Sequence, residues 1–426
     1  MIYFQAFTPV VVYALHIFSE HRTLIDTRLL GILAHFGVTD PMRMFRSVIL
    51  QHLSGFEYQY HYRQFYPEIR SYFSSYCSLY GADKIIKAVN SITTRMASWK
   101  LLLIQASLIK SECPELLKVK GKTIADIDVT TIQSSSSEKE GAEAGYNKKN
   151  KGKRCFQLSA TFIGKFFVDA KLFPGCNNPS DFFRRAVKRV LSLGFHIEIV
   201  RADSAYMTLE NLLFLKKLSL GYAIGAPARF NVVKEGIRLF KELSRKKSGR
   251  IIHIKKGVAI CDLGEVVLEN GFRTRIIIVR RISRTTKNGK LKVSTYYYGI
   301  ASDLGLSAKK LYEFYHKRQC IEAGFRELKN HWHLERLPFK TLKANEFWAI
   351  SKIVAMTVFK IFQAKMLPKS LHSLLRKTFL RRILMKGLCL DESGKKVLVR
   401  SDTRYKWLLQ RLLAKTDRMK TAMNPC

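Results

Sequence analysis

Residues 1 to about 116 repeat apolar positions at helical spacing, as in Leu24-Ile25, Leu29-Leu30 and Ile32-Leu33, with breaks at Gly37, Pro41, Gly55 and Gly81. Side chains three and four apart share one helix face, so this stretch predicts an all-helical region. The period changes at Lys122: from Thr123 to Ile132 apolar and polar residues alternate and β-branched side chains abound, which predicts a strand. Residues 134–153 have almost no apolar content and read as an exposed, mobile loop. Strands are expected over 157–163 and 166–173, joined by a tight turn at Gly164-Lys165 and stopped by Pro174-Gly175. A helix announced by Asn178-Pro-Ser-Asp181 and closed by Gly194 follows, then a strand over 196–202 that ends at Asp203. A helix over 208–218 leads into an apolar strand over 222–228.

A strand, a hairpin, a helix, a parallel strand, a helix and another strand make the ribonuclease-H-like arrangement of an α/β fold. From about 230 to 298 the pattern is β-rich, with strands expected over 250–255, 258–262, 273–283 and 293–300, and it reads as an inserted β region. A single long helix over 307–330 and a helical tail to Cys426 complete the chain.

Composition narrows the partner. Lys and Arg number 74 against 33 acidic residues, a net charge of +41 and a pI near 10.1, which calls for a polyanion. The basic residues are spread along the chain instead of flanking an apolar span, which favours nucleic acid over a membrane surface. The apolar stretch 7–18 is too short to cross a bilayer and reads as a core helix, and Lys352 and Lys360 interrupt 347–362 as in a half-buried helix. Eight cysteines without a CxxC pair fit free thiols in a reducing cytoplasm, not zinc. The aromatic run 58–66 and the basic run 148–154 could each contact DNA, or could equally be core packing and a solvated charge run.

Asp126 and Asp128 lie on the strand over 123–132, and Asp203 ends a strand that this topology places beside it. Ligands of such sheets gather at the carboxyl ends of the strands. Carboxylates brought together there repel one another unless a cation neutralises them, and hard oxygen ligands suit Mg²⁺ or Mn²⁺. Asp126 and Asp128 point to the same strand face about 6.6 Å apart, so only one of them can share metal ions with Asp203. Asp128 is nearer the carboxyl end. Further on, Tyr315, Arg318, Glu322 and Lys329 are separated by three, four and seven residues. At about 100° per residue they fall within an arc of about 60°, whereas Glu313 and Glu327 point away. One carboxylate among two cations and a phenol suits a metal-bound phosphate: Glu322 completes the metal site, and Arg318 and Lys329 grip backbone oxygens.

Those four residues resemble the Tyr-x2-Arg-x3-Glu-x6-Lys hallmark of DDE transposases of the bacterial insertion-sequence kind. Asp128-Val-Thr130 resembles the family's first catalytic motif and Val200-Arg-Ala-Asp203 its second. The segment 141–147 is similar to the loop after the first aspartate in one branch of these enzymes, and Asn345-x-Phe-Trp348 to the helix that follows Lys329. The resemblance covers about 122–362. It implies catalysis and metal binding by Asp128, Asp203 and Glu322, with DNA binding by Tyr315, Arg318 and Lys329. Two Mg²⁺ or Mn²⁺ ions would activate a water, later a 3′-hydroxyl, and stabilise the leaving oxygen. The implied partners are double-stranded DNA, at the element's inverted-repeat ends and the target, and a second copy in a homodimer on DNA, within a bacterial cytoplasm and its nucleoid. The expected regions are a helical, possibly end-binding segment 1–116, core 117–229, inserted β region 230–298, catalytic helix 299–345 and helical 346–426. Two rivals share the charge pattern: a metal-dependent nuclease without strand transfer, and a non-catalytic DNA-binding descendant, against which the three intact carboxylates argue.

Overall fold

The computed structural model describes residues 2–379 apart from 34–37, 39, 57–58, 74–76, 135, 137, 146–149, 269–270 and 288–289, and a few short stretches between 389 and 419. Its first layer is helical: α1 (Ile2–Glu20), α2 (Arg22–Leu33), α3 (Pro41–Leu53), α4 (Gln59–Phe73), α5 (Ala82–Asn90) and α6 (Met96–Glu112). Local chemistry sets the boundaries, as at α3, where Asp40 accepts from the Arg43 amide at 2.8 Å and Pro41 needs no amide partner. In the aromatic run, Tyr62 is buried and donates to the Tyr80 carbonyl at 3.0 Å, whereas Tyr60 is exposed.

The sheet then builds from β1 (Lys118–Val119), β2 (Lys122–Gln133), β3 (Glu143–Ala144), β4 (Arg154–Ile163) and β5 (Phe166–Pro174). After α7 (Phe183–Ser192) come β6 (Ile199–Ala202), α8 (Leu209–Lys217) and β7 (Gly221–Ala226). Across the core the order is β5-β4-β2-β6-β7, with β4 antiparallel to its neighbours β2 and β5, and β6 and β7 parallel to β2. That is the ribonuclease-H-like sheet. The β4–β5 turn demands glycine: Gly164 has φ +61° and a Cβ there would stand 1.8 Å from the Leu116 carbonyl oxygen.

Beyond β7, α9 (Asn231–Arg245) precedes β8 (Ile251–Lys255), β9 (Val258–Val267), β10 (Arg273–Lys287) and β11 (Lys290–Ser302). β11 pairs with β7, so these strands continue the same sheet in the order β11-β10-β9-β8. The helix α9 was not expected from a β-rich reading. Its inward residues Val233, Gly236 and Phe240 recur at helical spacing and pack on the strands. Part of the loop expected over 134–153 pairs with β4 as β3, and residues 146–149, where the basic run begins, lie outside the described residues.

Two expectations for the C-terminal half are corrected. The helix expected over 307–330 is two helices, α10 (Ala308–His316) and α11 (Gln319–His331), because the amides of Lys317, Arg318 and Cys320 bond to carbonyls three residues back and tighten the turn. The helix α12 (Leu342–Met366) is long and apolar enough to cross a membrane, but 89% of its most apolar window is buried inside the fold. It is buried nearly all round, not half-buried, because it runs between α3 and α6 on one side and β5 on the other. Lys352 is accommodated there by donating to the His333 and Arg336 carbonyls, each at 2.6 Å.

Candidate active site

The β2–β6 register pairs Asp126 with Arg201 and Ile127 with Ala202, so Asp128 and Asp203 follow one step beyond the last pair, Asp128 still within β2 and Asp203 just past the end of β6. Asp203 turns the chain by accepting from the Ala205 amide at 2.8 Å. Glu322 arrives from α11, in whose first turn the helix dipole favours a carboxylate. Arg318, at the start of α11, bridges two of the three: it donates to Asp128 at 3.0 Å and to Glu322 at 2.5 Å.

Burial dominates the electrostatics here, and the neighbouring charges modify it. Burial pushes the Asp128 carboxyl up to about 6, Arg318 pulls against that, and the Asp203 charge pushes it up again. Burial works against the Arg318 charge, but Asp128, Tyr315 and Glu322 together hold it above its ordinary value. Tyr315 is pushed up to about 12, first by burial and further by Asp203 and Asp128, although Arg318 acts in the opposite direction. Its hydroxyl lies over Gly225, where a Cβ would stand 2.7 Å away. Lys329 donates to the Thr131 carbonyl at 2.6 Å, beside the outer end of β2, and stands 3.5 Å from Glu335. Of the six residues singled out in the sequence, Arg318 joins Asp128 to Glu322, Tyr315 lies against Gly225 beside Ser204, the neighbour of Asp203, and Lys329 meets β2 three residues beyond Asp128. Glu327 faces elsewhere and pairs with Lys360 at 3.1 Å.

Among the described residues no three histidine, cysteine or carboxylate side chains stand close enough to hold a metal ion together. The oxygen donors of Asp128, Asp203 and Glu322 are of the kind a divalent cation takes, and here the Arg318 guanidinium supplies the positive charge between Asp128 and Glu322.

Asp126 has a different environment. Its carboxylate accepts both arms of Arg201 at 2.7 Å and the Cys320 thiol at 3.1 Å, all beneath the surface. Burial pushes its carboxyl up and Arg201 draws it back. Arg201 also donates to the Phe314 carbonyl at 2.6 Å, tying β6 to the end of α10. Sequence reasoning passed over Arg201 and Cys320. The signal available was a single arginine inside an otherwise apolar strand, which a buried acid must answer.

The sheet is ribonuclease-H-like, with Asp128 and Asp203 just beyond the last pair of the parallel β2–β6 register. The sequence matches the family described as transposase DDE domain over residues 119–358, more than half of the chain. The chain belongs to that family. No curated protein matches it. Among solved structures, the piggyBac transposase synaptic complex with hairpin DNA superimposes with a TM-score of 0.41 at 10% identity, over 98% of this chain and 85% of that one.

Proposed function

We propose that this transposase is of the insertion-sequence type, cutting double-stranded DNA at its element's inverted-repeat ends and joining those ends to target DNA, with Asp128, Asp203 and Glu322 as the catalytic carboxylates. The observation that supports the reading is that Asp128 and Asp203 both follow the last pair of the β2–β6 register, with Arg318 joining Asp128 to Glu322. Two Mg²⁺ or Mn²⁺ ions bound to the three carboxylates would activate the attacking hydroxyl and stabilise the leaving oxygen at phosphorus. Arg318 changes partner in this scheme: freed from Asp128 and Glu322 once those are neutralised, its guanidinium turns to a phosphate oxygen. Tyr315, packed over Gly225, buttresses that movement, and Lys329 holds the DNA backbone beside Thr131. The active assembly is a homodimer on DNA, working at the bacterial nucleoid.

The test uses duplexes carrying the element's flanking repeats, incubated with the purified chain and Mn²⁺. Nicked ends and then joined products are expected, and Glu322→Gln should bind the ends but leave them uncut. Cleavage by Glu322→Gln at the rate of the unaltered chain would refute the assignment, and cutting without joining would favour a nuclease. Binding should weaken steeply with salt, by about 0.9 in log–log slope per phosphate contacted.

A further inference from the structure

A second cationic feature lies outside the carboxylate edge. The inward face of α7 is apolar, with Phe183, Ala186, Val187 and Val190 buried, and Arg189 turns in to Asp169 at 2.8 Å. Its outward face is Arg184, Arg185 and Lys188, all exposed. Together with Phe214 of α8 and Asp181, these three cations line an open cavity of about 420 Å³. Lys188 lies 5.8 Å from the Phe214 ring centre, and Arg184 reaches Glu210 at 3.2 Å, an exposed pair that water and salt weaken. Asp181, just before α7, also lines the cavity, so three cations face one lining acid.

The position of this cavity gives it meaning. Both α7 and α8 start at the edge that carries Asp128 and Asp203. The Phe183 ring lies 5.4 Å from that of Tyr206, whose hydroxyl feels the charges of both aspartates. The cavity's first arginine, Arg184, is the chain neighbour of a ring that packs on Tyr206. Resting on the transposase reading above, we infer that the α7–α8 cavity is a phosphate-binding track for duplex DNA, taking two or three backbone phosphates of the helix whose scissile phosphate lies at the carboxylate edge. Arg184 and Arg185 bind phosphate oxygens, Lys188 adds a point charge, and Phe214 gives the sugar backbone an apolar floor. Glu210 yields Arg184 to the stronger anion.

The experiment compares Arg184→Ala/Arg185→Ala/Lys188→Ala with a matched triple, Lys118→Ala/Lys122→Ala/Lys165→Ala, at the opposite end of the sheet. On flanking-repeat duplexes the first triple should bind at least tenfold more weakly at moderate salt and lose about two to three units of log–log salt slope. It should still nick at saturating DNA, and the second triple should bind nearly as the unaltered chain does. In the unaltered chain, DNA should shield Lys188 from an amine-acetylating reagent, read by mass spectrometry, while Lys118 and Lys122 stay reactive. This second measurement decides the matter even if the first triple folds poorly. Unchanged affinity and slope in the first triple, or a Lys188 equally reactive with and without DNA, overturns the track. Failure of the unaltered chain to bind or cut would instead overturn the transposase reading.

Discussion

Two arginine–carboxylate clusters occupy one face of the same strand, two residues apart, and they differ in almost every physical respect. Beneath the edge, Asp126 and Arg201 are sealed, with side chains only 3% and 5% exposed, and every strong donor is aimed at a fixed acceptor. At the edge, Asp128 and Glu322 share one arginine, and Glu322 is 47% exposed. The sealed pair cannot exchange partners without stranding a buried charge, so it suits fixing the relation of β2, β6 and α10. The second cluster is only partly sealed, with Arg318 13% and Asp128 16% exposed, but Glu322 reaches solvent and gives the guanidinium a second acceptor. Under the proposed function, chemistry belongs at the second and alignment at the first.

The comparison breaks most sharply with Asp128→Ala, which should lower Mn²⁺-dependent nicking on the order of a thousandfold or more while shifting the unfolding transition little. Nicking retained by Asp128→Ala and lost in a folded Asp126→Ala would invert the two roles. Asp126→Ala should instead cost about 3–5 kcal/mol by leaving Arg201 unpaired. Combining Asp126→Leu with Arg201→Met should restore most of that stability in denaturant titrations, and a double variant as unstable as the single would show that the pair is not an isolated unit. A milder effect is expected of Glu327→Gln, which still reaches Lys360: about 1 kcal/mol of stability, with nicking within about threefold of the unaltered chain.

The smallest expected effect is a pH dependence outside both clusters. His52 is buried against Ser351 at 2.9 Å, and burial, with Lys352 and Arg376 nearby, holds its pKa well below the ordinary 6.5. A depressed folded-state value means that the unfolded chain binds the proton first. Its contribution is therefore complete above pH 6.5 and is lost as pH falls below that. His52→Gln should flatten the decline of unfolding temperature between pH 7 and 5.

Much of the core could be read in advance because its signals are local. Alternation marked β2, Gly164 marked the hairpin turn, and the apolar strand ending at Asp203 marked β6. The preference for Asp128 over Asp126 rests on strand direction together with the Asp-x-Thr form, and the paired alanine variants test it. The tight turn at Lys317–Arg318 was not legible, since no glycine or proline marks it and both residues keep helical dihedrals. Nor was the Asp126–Arg201 pair, because its partners are 75 residues apart and meet only through the parallel register. The burial of α12 was missed for a related reason: its lysines looked like a wet face, but carbonyls and Glu327 from other elements receive them.

The pairing of β11 with β7 has a consequence for anyone trimming this chain. A loop-like insertion can be deleted and its ends sealed, but here the removed strands would leave β7 as a sheet edge. Its Gly221–Ala226 backbone, small and apolar, carries no lysine, proline or bulge to discourage another chain from docking. A shortened protein lacking 231–302 should then stick to itself strand against strand, so that what was lost would register first as insolubility.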